Sequence, residues 1–393
     1  MLRLRFLLMI VGLIVPSACA PQPMQTQATE IPSATVDATP LSSVDLYRGD
    51  AARTGVYPKP PIETLQGVKW QLTFEEDAYF PSFAAGLLFI GTSSGQLLAL
   101  DPQTGTEMWA FQAQSGPILA VAADADNVYF GAGDDRFYAV NLMDSNRAWS
   151  FKTDGAIWSS SPLLMDTMVY FGSDHGQVYA LDMKTHQVIW EATVESGVLW
   201  QLTGDEKHVY VETQRYLYAL DRQTGTEAWK VATPDKWNPA AVMDGVVYAG
   251  NGDRQFVAID AATGKQMWAF EPPLGQWSEW SAPVVTEDRV FVGASNKFMY
   301  ALDRATGQEV WKFETADWAT TDPILLEDVL YFGVGAHANL AEADAQRPFY
   351  ALDASTGAVL WTFDGDGLVY AAATVGADAI YFKTLNNTLY ALH

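Results

Sequence analysis

The chain has one cysteine, Cys19. No disulfide can close within it, and no cysteine cluster or c-type haem motif is available. Its five histidines are scattered without the spacing of metal ligands, so no metal site is expected. Basic residues are scarce, 23 against 47 acidic, for a net charge of −24. Such a surface excludes nucleic acid as a partner and disfavours electrostatic docking on anionic lipid. Past the N-terminus no apolar run is long enough to span a bilayer. No window sustains a helical period either, which turns attention to strands.

The N-terminus reads as a targeting segment. Arg3 and Arg5 precede the apolar run Phe6–Val15, which has signal-peptide length. The run ends in Pro16-Ser17-Ala18-Cys19, which resembles a bacterial lipobox in its small residues and departs from it at Pro16. Cys19 is therefore the expected lipidation site; ordinary signal cleavage beside an incidental cysteine is the alternative. Residues 1–18 form the expected signal peptide. Residues 19–44 follow as a flexible tether rich in Pro, Thr, Gln, Ser and Ala. The folded body spans 45–393. The expected location is outside the cytoplasmic membrane on a lipid anchor, at the outer membrane if the source has one and otherwise on the outer face of the cytoplasmic membrane.

What is abundant is a repeat. Tyr300-Ala301-Leu302-Asp303-Arg304-Ala305-Thr306-Gly307, with Trp311 four residues on, recurs around Asp101, Asp221, Asp260 and Asp353. Worn copies stand at Asn141 and Asp182, with Ser145 and His186 in place of the glycine, and a last copy is cut off at Leu392. The period is about 41 residues, and each period holds four short β-branched and aromatic segments. Four strands per repeat of this length make the blade of a β-propeller. In each unit Asp accepts turn amides, Gly supplies positive φ, and Trp is expected in the wedge between blades. The structural tryptophans are Trp70, Trp109, Trp149, Trp190, Trp229, Trp268, Trp311 and Trp361. The turns at Ser145 and His186 are expected to be less regular. The final repeat lacks a fourth strand, which Val68–Leu72 can supply. The expected fold is all-β: an eight-bladed propeller whose last blade is closed by an N-terminal strand.

This phrase resembles the tryptophan-docking motif of the quinoprotein, or PQQ-like, eight-bladed propellers. Tyr47–Gly55 resembles their lead-in. The plan of lipobox, tether and bare propeller resembles the lipoprotein subunit of the outer-membrane β-barrel assembly machinery. That resemblance implies a monomeric, non-catalytic scaffold whose partner is another extracytoplasmic protein or peptide. The quinoprotein resemblance implies the runner-up, a dehydrogenase or sensor holding PQQ with Ca²⁺ at the mouth of the channel. A disulfide of adjacent cysteines against that cofactor is impossible here.

Other matches dissolve in context. Gly91-Thr92-Ser93-Ser94-Gly95 fits a nucleophile pattern but falls in a hairpin loop. Asp364-Gly365-Asp366-Gly367 lacks the later ligands of a Ca²⁺ loop. Asn386-Asn387-Thr388 is a sequon by pattern only. One constellation survives. An aromatic precedes the first strand of most blades: Tyr79, Trp158, Trp200, Trp237, Trp280, Trp318 and Tyr370, with Ile118 in the second blade. Acidic residues stand nearby: Asp77, Asp154, Glu195, Asp235, Glu279, Asp317 and Asp366. The simpler expectation is packing between blades. The sharper one is an aromatic, acid-rimmed mouth for a sugar, peptide or cationic group, with Trp158, Trp237, Trp280 and Trp318 converging in one pocket. The insertion at 335–347 is either a polar loop or a partner contact.

Overall fold

The computed structural model describes residues 46, 48–157, 161–272, 279–335, 347–369, 372–376 and 378–393. Contacts separate Met1–Pro40 from Leu41–His393, and every described residue belongs to the second unit. Cys19, Trp158, Tyr370 and most of the insertion lie outside the described residues.

The described residues form eight sheets, each with four antiparallel strands in sequence order except the last, whose fourth strand comes from the N-terminal side; the seventh carries a fifth, parallel strand on its inner edge. We number these blades 1 to 8: 82–112, 121–152, 163–193, 203–232, 241–270, 284–314, 324–364, and 374–392 joined by 68–73. In the middle strands nearly every residue is buried, as in Val209-Tyr210-Val211 and Leu217-Tyr218-Ala219-Leu220. Sheets stack face to face around the ring, so these strands are covered on both sides and read as continuous apolar runs. Only the fourth strands alternate with solvent. Blade 8 closes as expected: Val68–Thr73 pairs antiparallel with Thr388–Leu392, from Val68↔Leu392 to Thr73↔Thr388.

The repeat fastens each blade to the next. Trp268 Nε1 donates to the Arg304 carbonyl at 3.0 Å. Its ring lies on Gly307, where an added Cβ would meet it at 2.5 Å, so glycine is required there twice over, for contact and for its φ of 71°. The same bond joins Trp70 to Pro102, Trp109 to Leu142, Trp190 to Arg222, Trp229 to Ala261 and Trp311 to Ala354. The Trp361 indole donates instead to Ile62, in the segment leading to the closing strand. In all eight blades a bulge falls just before the tryptophan pairs with its alanine, as between Ala301 and Leu302. It turns the residue before the tryptophan outward, which exposes Met108, Ile189, Met267, Val310 and Leu360.

The worn turns are not irregular. Ser145 and His186 hold φ of 56° and 60°, and their amides bond to Asn141 and Asp182 as the glycines' do elsewhere. The docked indole compensates at one of them: Trp149 stacks on the His186 ring at 4.9 Å.

The lead-in forms the centre of the ring. Leu46 is buried and belongs to the same apolar cluster as Ala122 and Leu163, on the first strands of blades 2 and 3. The carbonyls of Ala51, Ala52, Thr54 and Gly55 accept the amides of Gly204, Val242, Val285 and Leu325, on the innermost strands of blades 4, 5, 6 and 7. Val56–Tyr57 then pairs parallel with Ile324–Leu326. Lys59 reaches blade 8 through the Val375 and Gly376 carbonyls. Hydrogen bonds, with Lys59 over the Phe83 ring at 4.8 Å, thus tie one short segment to seven blades, all but the second.

Candidate functional site

The mouth residues do not occupy one position in the ring. Tyr79 donates its amide to Gly91 O of its own blade, as Leu199 does to Glu212, Asn238 to Gly250 and Ser281 to Gly293. Those four share a register. Trp237 and Trp280 each stand one residue earlier, and neighbours in extended chain face opposite sides. They turn into the seams between blades. Trp237 is 1% exposed among Tyr210, Leu217 and Val247, and its indole donates to Val231 O at 3.2 Å. Trp280 is 3% exposed, lies against Gly250 of the preceding blade and packs on Phe256 at 5.6 Å. These two tryptophans belong to separate clusters and do not converge. The same seam position holds Ile118 against Gly91, Ile157 against Gly131 and Val198 against Gly172. Trp200 stands one residue beyond the shared register and Trp318 two before it; both are half-buried.

Three acids of the rim pair with cations of the chain itself, and two more accept hydroxyl hydrogen bonds. Lys236 Nζ is 2.7 Å from Glu279 and 5.8 Å from the centre of the Trp200 ring, so a lysine of the chain itself already fills that cation–π position. Trp200 Nε1 in turn donates to the Trp237 carbonyl at 2.8 Å. Glu195 pairs with Lys230 at 3.3 Å. Asp317 is buried between Arg347, at the end of the insertion, and Lys297. Asp154 accepts the hydroxyls of Ser173 and Tyr179 at 2.9 and 3.0 Å, and Asp366 those of Thr384 and Thr388. Asp77 and Asp235 remain exposed.

Four central residues were missed by reading for a site. Arg48 and Arg53 are 1% and 0% exposed. Arg48 donates to Pro283 O at 2.6 Å and Pro323 O at 3.1 Å; Arg53 donates to Leu202 O at 3.1 Å and Pro162 O at 3.0 Å. Asp322 lies 3.9 Å from Arg48 and takes the Ala282 amide at 2.7 Å. Glu212 and Lys383 end the second strands of blades 4 and 8, opposite in the ring, where the other six blades carry Gly91, Gly131, Gly172, Gly250, Gly293 and Gly333. Glu212 is fully buried; Oε1 accepts the Ala240 amide at 3.0 Å and Oε2 has no donor among the described residues. Burial pushes its carboxyl up to about 8. Burial draws the Lys383 ammonium down to about 8, partly offset by Asp77 and Asp366. The signal for this pair was in the sequence, as two departures from a glycine column.

Eight four-stranded blades, each docked by tryptophan on its neighbour, define a PQQ-like propeller. A family model described as "Outer membrane protein assembly factor BamB" matches residues 65–198, 155–216, 213–334 and 300–393, and the chain belongs to this family. Among curated relatives, the outer membrane protein assembly factor BamB of Shewanella oneidensis is 23% identical over 47% of this chain and 51% of its own length. Lupanine 17-hydroxylase of a Pseudomonas species is 28% identical over 36% of this chain and 25% of its own. The chain thus spans between a quarter and a half of these relatives. Of solved structures, quinohemoprotein alcohol dehydrogenase from Comamonas testosteroni superposes with a TM-score of 0.72 at 16% identity, covering 88% of this chain and 80% of that one. BamB from Moraxella catarrhalis gives 0.64 at 16% identity, covering 84% and 100%. These likenesses show the fold. Assembly factors and quinoprotein dehydrogenases both stand among the relatives.

The quinoproteins raise PQQ with Ca²⁺. Such a tricarboxylate needs cationic donors, and Ca²⁺ needs six or more oxygens. Arg48 and Arg53 direct their guanidinium groups at backbone carbonyls. Glu212 favours its neutral form, and among the described residues no three His, Cys, Asp or Glu side chains gather as a metal requires.

Proposed function

We propose that the protein is a non-catalytic envelope scaffold, anchored by lipid at Cys19, that binds another extracytoplasmic protein as a monomer. The observation that carries this reading is the filled centre. The lead-in occupies the channel, and internal partners answer most of the charges at its mouth. What the chain offers outward is its rigid faces and the free edges of eight fourth strands, to which an extended segment can add by main-chain hydrogen bonds. Relatives named as outer membrane assembly factors support an outer-membrane location and a partner in an assembly complex. Crosslinking in intact cells, followed by identification of the attached protein, tests it. Recovery of one envelope protein is expected; recovery of none counts against it.

The second reading, a PQQ- or ligand-binding enzyme, draws on the quinoprotein relatives. Incubating the purified chain with PQQ and Ca²⁺ and following its melting temperature separates the two, because a ligand specific for the fold raises it. The scaffold reading expects no shift. A shift accompanied by dye-linked oxidation of an alcohol or sugar would overturn it.

A further inference from the structure

The lead-in meets the ring as a bound peptide meets its receptor. Its backbone gives four carbonyls, at Ala51, Ala52, Thr54 and Gly55, to amides of blades 4 to 7. Its two guanidinium groups, five residues apart, go to carbonyls of blades 6 and 7 on one side and blades 3 and 4 on the other. Both arginines are held at positive φ, 62° and 56°, a region non-glycine residues leave when unrestrained. The ring and the segment's own turns, in which Arg53 N donates to Asp50 O, Gly55 N to Arg48 O and Thr54 to the Asp50 carboxylate, hold that conformation together. The connection onward is tenuous by comparison: Glu63 and Thr64 are exposed, and the closing strand begins only at Val68.

We propose that the channel is a peptide-recognition site. Its resident ligand is residues 48–57. The chemical class it takes is a looped segment presenting two guanidinium groups five residues apart, with free carbonyls between and just after them. The four backbone carbonyls at Pro162, Leu202, Pro283 and Pro323 select for arginine, because a guanidinium offers a planar fork of donors that an ammonium lacks.

The full chain carrying a protease site between Glu63 and Thr64 tests this. After cutting, fragment 1–63 is held by these contacts together with those of Lys59 and Ile62, while the closing strand stays with the ring. The two pieces are expected to co-elute at native size with the melting transition retained. A fluorescent synthetic peptide of residues 48–57 should exchange into the cut protein. The same peptide with Arg48→Gln and Arg53→Gln should bind at least tenfold more weakly. Release of fragment 1–63 from a ring that stays folded would overturn the proposal, as would unfolding on cutting. Equal binding of the two peptides would remove the arginines from it.

Discussion

The rim and the centre of this propeller are built on opposite plans. At the rim one device recurs: an indole docks on the turn of the next blade, and an aspartate organises that turn. Asp303 accepts the Thr306 amide and hydroxyl at 2.9 and 2.7 Å, and Asp221, Asp260 and Asp353 do the same with Thr224, Thr263 and Thr356. At the centre nothing recurs. Arg48, Arg53, Glu212 and Lys383 each occur once, and each contacts different blades. Repetition gives the rim redundancy, since one damaged seam leaves seven. The centre has no spare copy. Damage there should propagate to several blades, which the following changes measure.

The largest effect is expected at Arg53. Arg53→Ala leaves the Leu202 and Pro162 carbonyls without their charged donor at a buried site. It also removes the positive charge nearest Glu212. A loss on the order of 4 kcal/mol is expected in denaturant titration, from orphaned buried groups together with an unfilled volume. A loss under about 1 kcal/mol would show that the centre is as dispensable as one rim seam.

Glu212 comes next, and its signature is pH. Its folded pKa of about 8 lies above the ordinary carboxylate value, so the folded state keeps a proton that the unfolded chain has lost. This contribution is fully present below the unfolded value and disappears as pH rises through 8. Glu212→Gln should flatten the fall in stability between about pH 5 and pH 8, by up to roughly 3 kcal/mol relative to the parent chain. Lys383 has the opposite sense: its contribution is present above its unfolded value and lost as pH falls through 8, so Lys383→Met should flatten the alkaline side of the profile. Parallel curves for parent and variants would refute both assignments.

These two regions also differ in how far the sequence could be read. Trp268, Gly307 and Asp303 were legible because the phrase returns with constant spacing, and even the missing fourth strand could be found at Trp70. The mouth was misread by a single residue. An aromatic before the first strand looks the same in sequence whether it stands at Tyr79's register or at Trp237's, yet alternation sends one toward the channel side and the other into a seam. Arg48 and Arg53 were visible only as a family lead-in. Their role depends on carbonyls up to 275 residues away, which no local pattern encodes.

A rim change sharpens the contrast. Trp268→Phe keeps an aromatic wedge and loses the bond to Arg304 O. The expected cost is about 2 kcal/mol, from one hydrogen bond and part of the buried indole area. Limited proteolysis should show cuts confined to the seam of blades 5 and 6, whereas Arg53→Ala should expose sites in several blades.

The smallest effect is expected where the rim tolerates a departure from its own rule. At position 186 glycine would relieve a non-glycine residue held at φ of 60°, a gain of about 1 kcal/mol. His186→Gly also removes the ring stacked on Trp149 at 4.9 Å, at a cost of about the same size. It further loosens the unfolded chain, which favours unfolding by a few tenths of a kcal/mol or more. The net change should lie within about 0.5 kcal/mol of zero. Trp149→Ala separates the terms, because in that background the stack is already gone and His186→Gly should become clearly stabilising. If it does not, the stack contributes nothing, and the positive φ at this turn is fixed by Asp182 and the backbone bond alone.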